Sequence, residues 1–168
     1  MISPTHLQLL SKYNRWQNES LYAAASTLSD GERKKERGAY FGSIHATLNH
    51  ILWGDRLWLS RFSDHPAPIA DGFDGSKRLY EDWNALREAR HKTDEFLDQW
   101  TGALTPADIE GDYAWFSGAM GRELSRPRWL IFTHIFNHQT HHRGQVHAML
   151  TAAGAKPDDT DLPFMPGV

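Results

Sequence analysis

The sequence contains no cysteine, and that absence removes several kinds of site. Without a thiol in its 168 residues, the chain cannot form a disulfide, a thiolate zinc site, an iron–sulfur cluster or a cysteine nucleophile. Any bound metal must therefore have nitrogen and oxygen ligands.

Long apolar runs and long runs of one charge are also lacking. No segment approaches the ~20 apolar residues that a membrane-spanning helix needs, and no export signal follows the N-terminus. The longest run of basic residues is the triplet Arg33–Lys35, and we predict that the charged run Arg33–Arg37 around it is solvated. The net charge of the chain is -3. We therefore expect a cytoplasmic protein that binds neither membranes nor nucleic acid.

Apolar and aromatic residues are plentiful. They make up 40% and 12% of the chain, which is enough for one compact domain over residues 1–168. Histidine is frequent as well, and five of the ten histidines fall between His134 and His147. This concentration of imidazoles makes the C-terminal part of the chain the first place to look for a metal site.

The spacing of apolar residues predicts four long helices. Apolar side chains recur every three or four residues over about 4–28, 43–62, 76–105 and 127–153, with Ser76 as the N-cap of the third helix. Between the last two helices, residues 112–124 alternate around glycines and predict a short β-hairpin. The expected fold class is thus all-α, a four-helix bundle with a short β-hairpin before the last helix.

A row of histidines follows the last predicted helix. His134, His138 and His142 recur every four residues, so each lies about 6 Å further along the same side of the helix. Two histidines at this spacing can bind one ion, although such a pair is more often only buried and hydrogen-bonded. The pair His138 and His142 lies nearest the apolar face and is the stronger candidate.

His50 on the second helix supplies the third candidate ligand. It lies at the edge of the apolar face, where it can meet the pair on the last helix. Three neutral imidazoles around a divalent ion leave at least one coordination position open, which is typical of a reactive site. Zinc, nickel, iron(II) and manganese all accept such ligands, so the identity of the metal stays open.

The other polar residues near this site are predicted to have different roles. Asp55 lies within the apolar face, and a buried ion pair with Arg90 is favoured over a direct role at the metal. His134 and His141 are candidates for supporting positions. We assign no catalytic residue. The remaining histidines considered as non-ligands are His45 and His147.

Two sequence motifs connect these residues to a known family. Ser43–His50 (SIHATLNH) and Asn137–Gln145 (NHQTHHRGQ), with Gly38–Phe41 and Thr160–Met165, resemble the DinB/YfiT-like family of proposed metal-dependent enzymes over nearly the whole chain. The resemblance implies an up-down-down-up four-helix bundle, usually a homodimer. It also implies a metal held by three histidines of the second and fourth helices, which here are His50, His138 and His142.

The resemblance leaves the reaction open. The family includes transferases and isomerases that use low-molecular-weight thiols such as bacillithiol or mycothiol, alongside many members of unknown activity. We expect a metal-dependent hydrolase or a thiol-dependent transferase that acts on a small molecule. The alternatives are a non-catalytic metal-binding or stress-response protein, and a metal-free helical interaction module.

Overall fold

The computed structural model describes residues 2–70, 72–118 and 120–167, and this part of the chain is mostly helical with a small two-stranded sheet. Helices and strands in chain order are α1 (Pro4–Ser26), α2 (Asp30–Lys34), α3 (Ile44–Phe62), α4 (Gly72–Gly75), α5 (Trp83–Ala103), α6 (Pro106–Ile109), β1 (Asp112–Ser117), β2 (Arg122–Pro127) and α7 (Arg128–Ala152). Short 3-10 turns span Ser76–Arg78 and Leu162–Phe164.

Polar side chains fix where the long helices begin. Ser3, Ser43 and Asp82 each accept a hydrogen bond from a backbone N–H of the first turn of α1, α3 and α5, respectively. The predicted start of the third helix at Ser76 was wrong. The Ser76 hydroxyl donates to the carbonyl of Phe73 instead of accepting from a helix, and the observed cap of α5, Asp82, lies six residues after Ser76.

The four long helices pack around a common interior. α1 contacts α5 and α7, and α3 contacts the same two helices. Apolar side chains form two separate clusters, one around Leu48 and Leu86 and the other around Leu59 and Phe132. Between them, each long helix contributes buried polar residues, so a polar layer divides the apolar core. The members of this layer are Asn14, Asn18, Asp55, Arg90, Asp94, Gln139 and Arg143.

The predicted hairpin is present and leads directly into the last helix. β1 and β2 pair in antiparallel register, with Asp112 opposite Pro127 and Ser117 opposite Arg122. The proline at the end of β2 lies immediately before α7, where its missing N–H leaves no helical hydrogen bond unmade. The hairpin therefore fixes where α7 begins, upstream of the histidine row.

The charged run 33–37 is only partly solvated, which corrects the prediction made for it. Arg33 is buried, and its guanidinium donates to the carbonyls of Ala25 and Leu28 near the end of α1. The same guanidinium lies 4.6 Å from the centre of the Trp83 ring. These carbonyls and the aromatic ring replace the water that the charge would otherwise bind.

A membrane-spanning segment is not found in the described part of the chain. None of its helices combines the length and the apolar character needed to cross a bilayer.

Candidate metal centre

The structure brings together the three histidines singled out in the sequence. His50 comes from α3, and His138 and His142 come from successive turns of α7. One ring nitrogen of each lies within 4.8 Å of the others. Among the described residues, no other group of three or more histidines and carboxylates meets this spacing.

The separation of the ring nitrogens suits coordination of one ion. The Nε2 atoms of His50 and His138 are 3.1 Å apart. If each were about 2.05 Å from a shared ion, they would subtend an angle of about 98° at it, close to that of tetrahedral or octahedral sites. No carboxylate takes part, so the donor set consists of three neutral imidazoles.

Ser76 sets the orientation of the His50 ring. Its hydroxyl donates to the Phe73 carbonyl at 2.6 Å, so its oxygen accepts the second hydrogen bond, 2.9 Å from Nδ1 of His50. Nδ1 therefore carries the proton of the neutral ring, and Nε2 presents its lone pair to the centre of the cluster. Ser76 is fully buried, which protects this bond from water.

Gln145 has the same relation to His142. Its side-chain oxygen lies 2.8 Å from Nδ1 of His142, and its nitrogen lies 3.3 Å from Nε2 of His141. The amide accepts from one ring and donates to the next, so His142 carries its proton on Nδ1 and Nε2 is free. Two of the three rings are therefore held in the tautomer that binds a metal through Nε2.

Aromatic side chains cover the inner side of the cluster. Phe41 stacks on the His50 ring at 3.9 Å between centroids and lies 5.2 Å from the His142 ring. Phe73 and Trp53 approach His50 at 5.4 and 5.7 Å. Phe41 is buried, whereas Phe73 is 46% exposed, so the aromatic cover extends from the interior to the surface.

Burial keeps the cluster neutral. Loss of hydration, together with a smaller effect of the neighbouring His142, lowers the pKa of His50 to about 3. The pKa of His138 is lowered to about 3 by the same loss of hydration and by the histidines around it. Burial also lowers the pKa of His142. The rings therefore keep their lone pairs available at neutral and mildly acidic pH.

The space for His138 depends on a glycine in α3. A side-chain carbon at Gly54 would lie 3.0 Å from Cε1 of His138, which is closer than side chains normally pack. The absence of a side chain at this position lets α7 place His138 against α3. Gly54 thus contributes to the site through the room it leaves.

The other predicted residues lie outside the cluster. Asp55 is buried and binds Arg90 at 2.5 Å and Gln139 at 2.7 Å, which confirms the ion pair expected from the sequence. His134 and His141 are exposed and adjoin His138 and His142, respectively. His45 is buried, and its ring nitrogen bonds to the Tyr80 carbonyl at 2.9 Å.

Sequence reasoning missed several contributors to the site, among them Ser76 and Phe41. The sequence predicts Ser76 as a helix cap, whereas its contact with His50 spans 26 residues that include the connection through α4. Phe41 was noted only as part of a motif. A buried aromatic residue in a loop has no periodicity to indicate its neighbour, so its stacking on His50 could not be predicted.

Comparison with known proteins places this helical protein and its buried three-histidine cluster in a family. A model of the DinB family matches residues 1–167. The chain belongs to that family. It is 28% identical over 162 residues to Protein DinB of Bacillus subtilis (strain 168), covering 90% of this chain and 88% of that protein.

A solved structure agrees with the fold. The crystal structure of a DinB-like protein from Bacillus cereus ATCC 10987 superposes with a TM-score of 0.60 at 19% identity. The match covers 86% of this chain and 91% of the other. At this level of identity, the likeness concerns the fold alone.

Proposed function

We propose that His50, His138 and His142 hold one divalent metal ion and that the protein is a metal-dependent enzyme acting on a small molecule. The observation that carries the proposal is the meeting of three neutral imidazoles, of which two are held by Ser76 and Gln145 with Nε2 unprotonated. A divalent ion in such a site keeps a position for an exchangeable ligand and lowers the pKa of a water or thiol bound there.

The residues around the cluster have separate tasks in this proposal. Ser76 and Gln145 hold the rings in orientation, and Phe41 excludes water from the inner side. His138 is partly exposed, so a small molecule can approach from the outer side. Hydrolysis and thiol-dependent group transfer both fit this arrangement, and membership of the DinB family supports a metal site without selecting the reaction.

The test of catalysis compares the protein as isolated with the same protein stripped of metal. Hydrolysable esters and amides form one panel, and electrophiles offered with bacillithiol or mycothiol form the other. We expect turnover in one panel that disappears on chelation and returns when the metal is restored. The His142→Ala variant, with the native metal supplied, serves as the control and should stay inactive.

A non-catalytic metal-binding or stress-response protein is the alternative. The cluster lies between α3 and α7, so an ion there would also join two helices and stabilise the fold. Silence in both panels, together with a large fall in melting temperature on chelation, would favour this function over catalysis.

Loss of the Ser76 hydroxyl should weaken metal binding without removing a ligand. Because the hydroxyl fixes the tautomer and orientation of His50, we expect Ser76→Ala to lower the metal affinity about 10- to 100-fold. Competition against a chromophoric chelator measures the change. Ser60→Ala is a suitable control, since that hydroxyl bonds only to the carbonyl of Leu57 within α3. Equal affinities of Ser76→Ala and the unchanged protein would contradict the role assigned to Ser76.

The metal affinity should also depend only weakly on pH. Protons compete with the ion for imidazole, and three histidines of ordinary pKa, about 6.5, would lose about 1000-fold in affinity between about pH 8 and pH 5.5. Here burial lowers all three pKa values, to about 3 for His50 and His138, so these two stay neutral over that range. Chelator competition at both pH values should show a loss of about tenfold at most. A loss of metal affinity near 1000-fold would contradict the lowered pKa values of the three histidines.

We further propose the up-down-down-up bundle and the homodimer that the family resemblance implies. The packing of α1 and α3 against both α5 and α7 supports a bundle of four long helices. Light scattering in solution tests the dimer through the molar mass.

A further inference from the structure

A cavity lies on the other side of α7 from the histidine cluster. It has a volume of about 360 Å³, opens to solvent and is lined by α1, α7 and the chain that follows α7. Tyr13 and Gln17 of α1 hold that chain in place through hydrogen bonds to the carbonyls of Thr160 and Asp159, at 2.7 and 2.9 Å. The cavity therefore has walls from three parts of the fold.

Among the described residues that line the cavity, Arg143 is the one charged side chain. The residue is only 5% exposed, and its guanidinium donates to the side-chain oxygens of Asn14 and Thr140. It also lies 5.5 Å from the centre of the Tyr13 ring. None of these partners carries a negative charge, and no carboxylate of the described residues forms an ion pair with Arg143.

Arg90, another buried arginine of this core, is paired with carboxylates. It is equally buried but pairs with Asp55 at 2.5 Å and with Asp94 at 2.8 Å. Neither of those two carboxylates forms an ion pair with Arg143. The positive charge of Arg143 is therefore buried without a direct counterion. Such burial is unfavourable unless an anion pairs with the guanidinium.

We propose that this cavity binds a small organic anion whose carboxylate or phosphate group pairs with Arg143. The planar guanidinium suits both groups, because its N–H donors match their oxygen atoms in pairs. Tyr13, Leu21 and Ala148 provide an apolar wall for the body of the ligand. Gly144 adds space, since a side-chain carbon there would meet no atom within 4 Å.

Calorimetric titration of the protein as isolated tests the proposal with three probes of similar shape. Benzoate and phenyl phosphate carry the two anionic groups, and benzamide is the neutral control. We expect saturable binding of at least one anion with a Kd below about 10 mM and binding of benzamide at least about tenfold weaker. The tighter of the two anions identifies the preferred group. Absence of saturable anion binding, or equal binding of benzamide, would overturn the proposal.

Two substitutions locate the binding. Gly144→Leu should project into the cavity and weaken anion binding at least about tenfold, whereas Gly144→Ala should leave anion binding nearly unchanged. Arg143→Gln should remove the preference for an anion over benzamide. His138→Ala keeps the cavity intact and should retain anion binding. Binding that survives Gly144→Leu, or is lost in His138→Ala, would place the anion elsewhere and overturn the assignment.

Discussion

Replacement of His138 by alanine is expected to lower the affinity of the protein for its divalent ion by about 1000-fold or more, equivalent to about 4 kcal/mol. The three rings form a compact triangle, in which the centre of the His138 ring is 5.1 Å from that of His50 and 4.6 Å from that of His142. Its removal leaves two imidazoles on opposite helices, and their ring centres are 5.0 Å apart. Metal content after dialysis and chelator competition measure the loss.

His134→Ala provides the matched control for this substitution. His134 lies one turn before His138 on α7, and its ring centre is 5.6 Å from that of His138, but it is not part of the three-histidine group. This variant should keep full metal stoichiometry. Equal loss in the two variants would point to a general effect on α7, and full occupancy in His138→Ala would contradict the assigned site.

Replacement of Arg90 by methionine is expected to lower the free energy of unfolding by about 3–5 kcal/mol near neutral pH. The substitution leaves Asp55 and Asp94 in the core without the guanidinium that binds both of them. Burial already raises the pKa of both carboxyls, and their attraction to Arg90 opposes that rise. Urea denaturation followed by circular dichroism measures the change.

The pH dependence of this loss provides an internal check. Without Arg90, the folded protein should hold protons on Asp55 or Asp94 that the unfolded chain releases, because their folded-state pKa values are then raised further. Since the folded state binds more protons, its stability falls as the pH rises, and the loss should be larger at pH 8 than at pH 5.

Lys92→Met, on the exposed side of the same helix, is the control for Arg90→Met. Lys92 forms an ion pair with Glu88, but both side chains are exposed, so the pair contributes little to stability. We expect stability close to that of the unchanged protein. A similar fall in stability in Lys92→Met, or no fall in Arg90→Met, would contradict the importance of the buried polar layer.

The sequence predicted the long helices and the histidine cluster because both depend on regular spacing. Apolar residues every three or four positions identify a helix, and the interval from His138 to His142 places two rings on one side of α7. His50 could be added because its helix has an identifiable apolar face. The ion pair of Asp55 with Arg90 followed from the cost of burying a charge alone.

Contacts that depend on the path of the chain could not be predicted. Ser76 contacts His50 only because the chain after α3 folds back against α3. The local sequence around Ser76 does not indicate this path. Arg33 was expected in water because its neighbours in the chain are charged. Its burial depends on where α2 lies against the end of α1, and that position is set by tertiary packing.

The most direct test of the metal site is a crystal structure of the protein isolated with its native metal, with anomalous scattering recorded at the absorption edges of zinc, nickel, iron and manganese. We expect one strong anomalous peak about 2.0–2.2 Å from ring nitrogens of His50, His138 and His142, with at least one coordination position not filled by the protein. A peak bound elsewhere, or a chain without any anomalous peak after purification in the absence of chelators, would contradict the site.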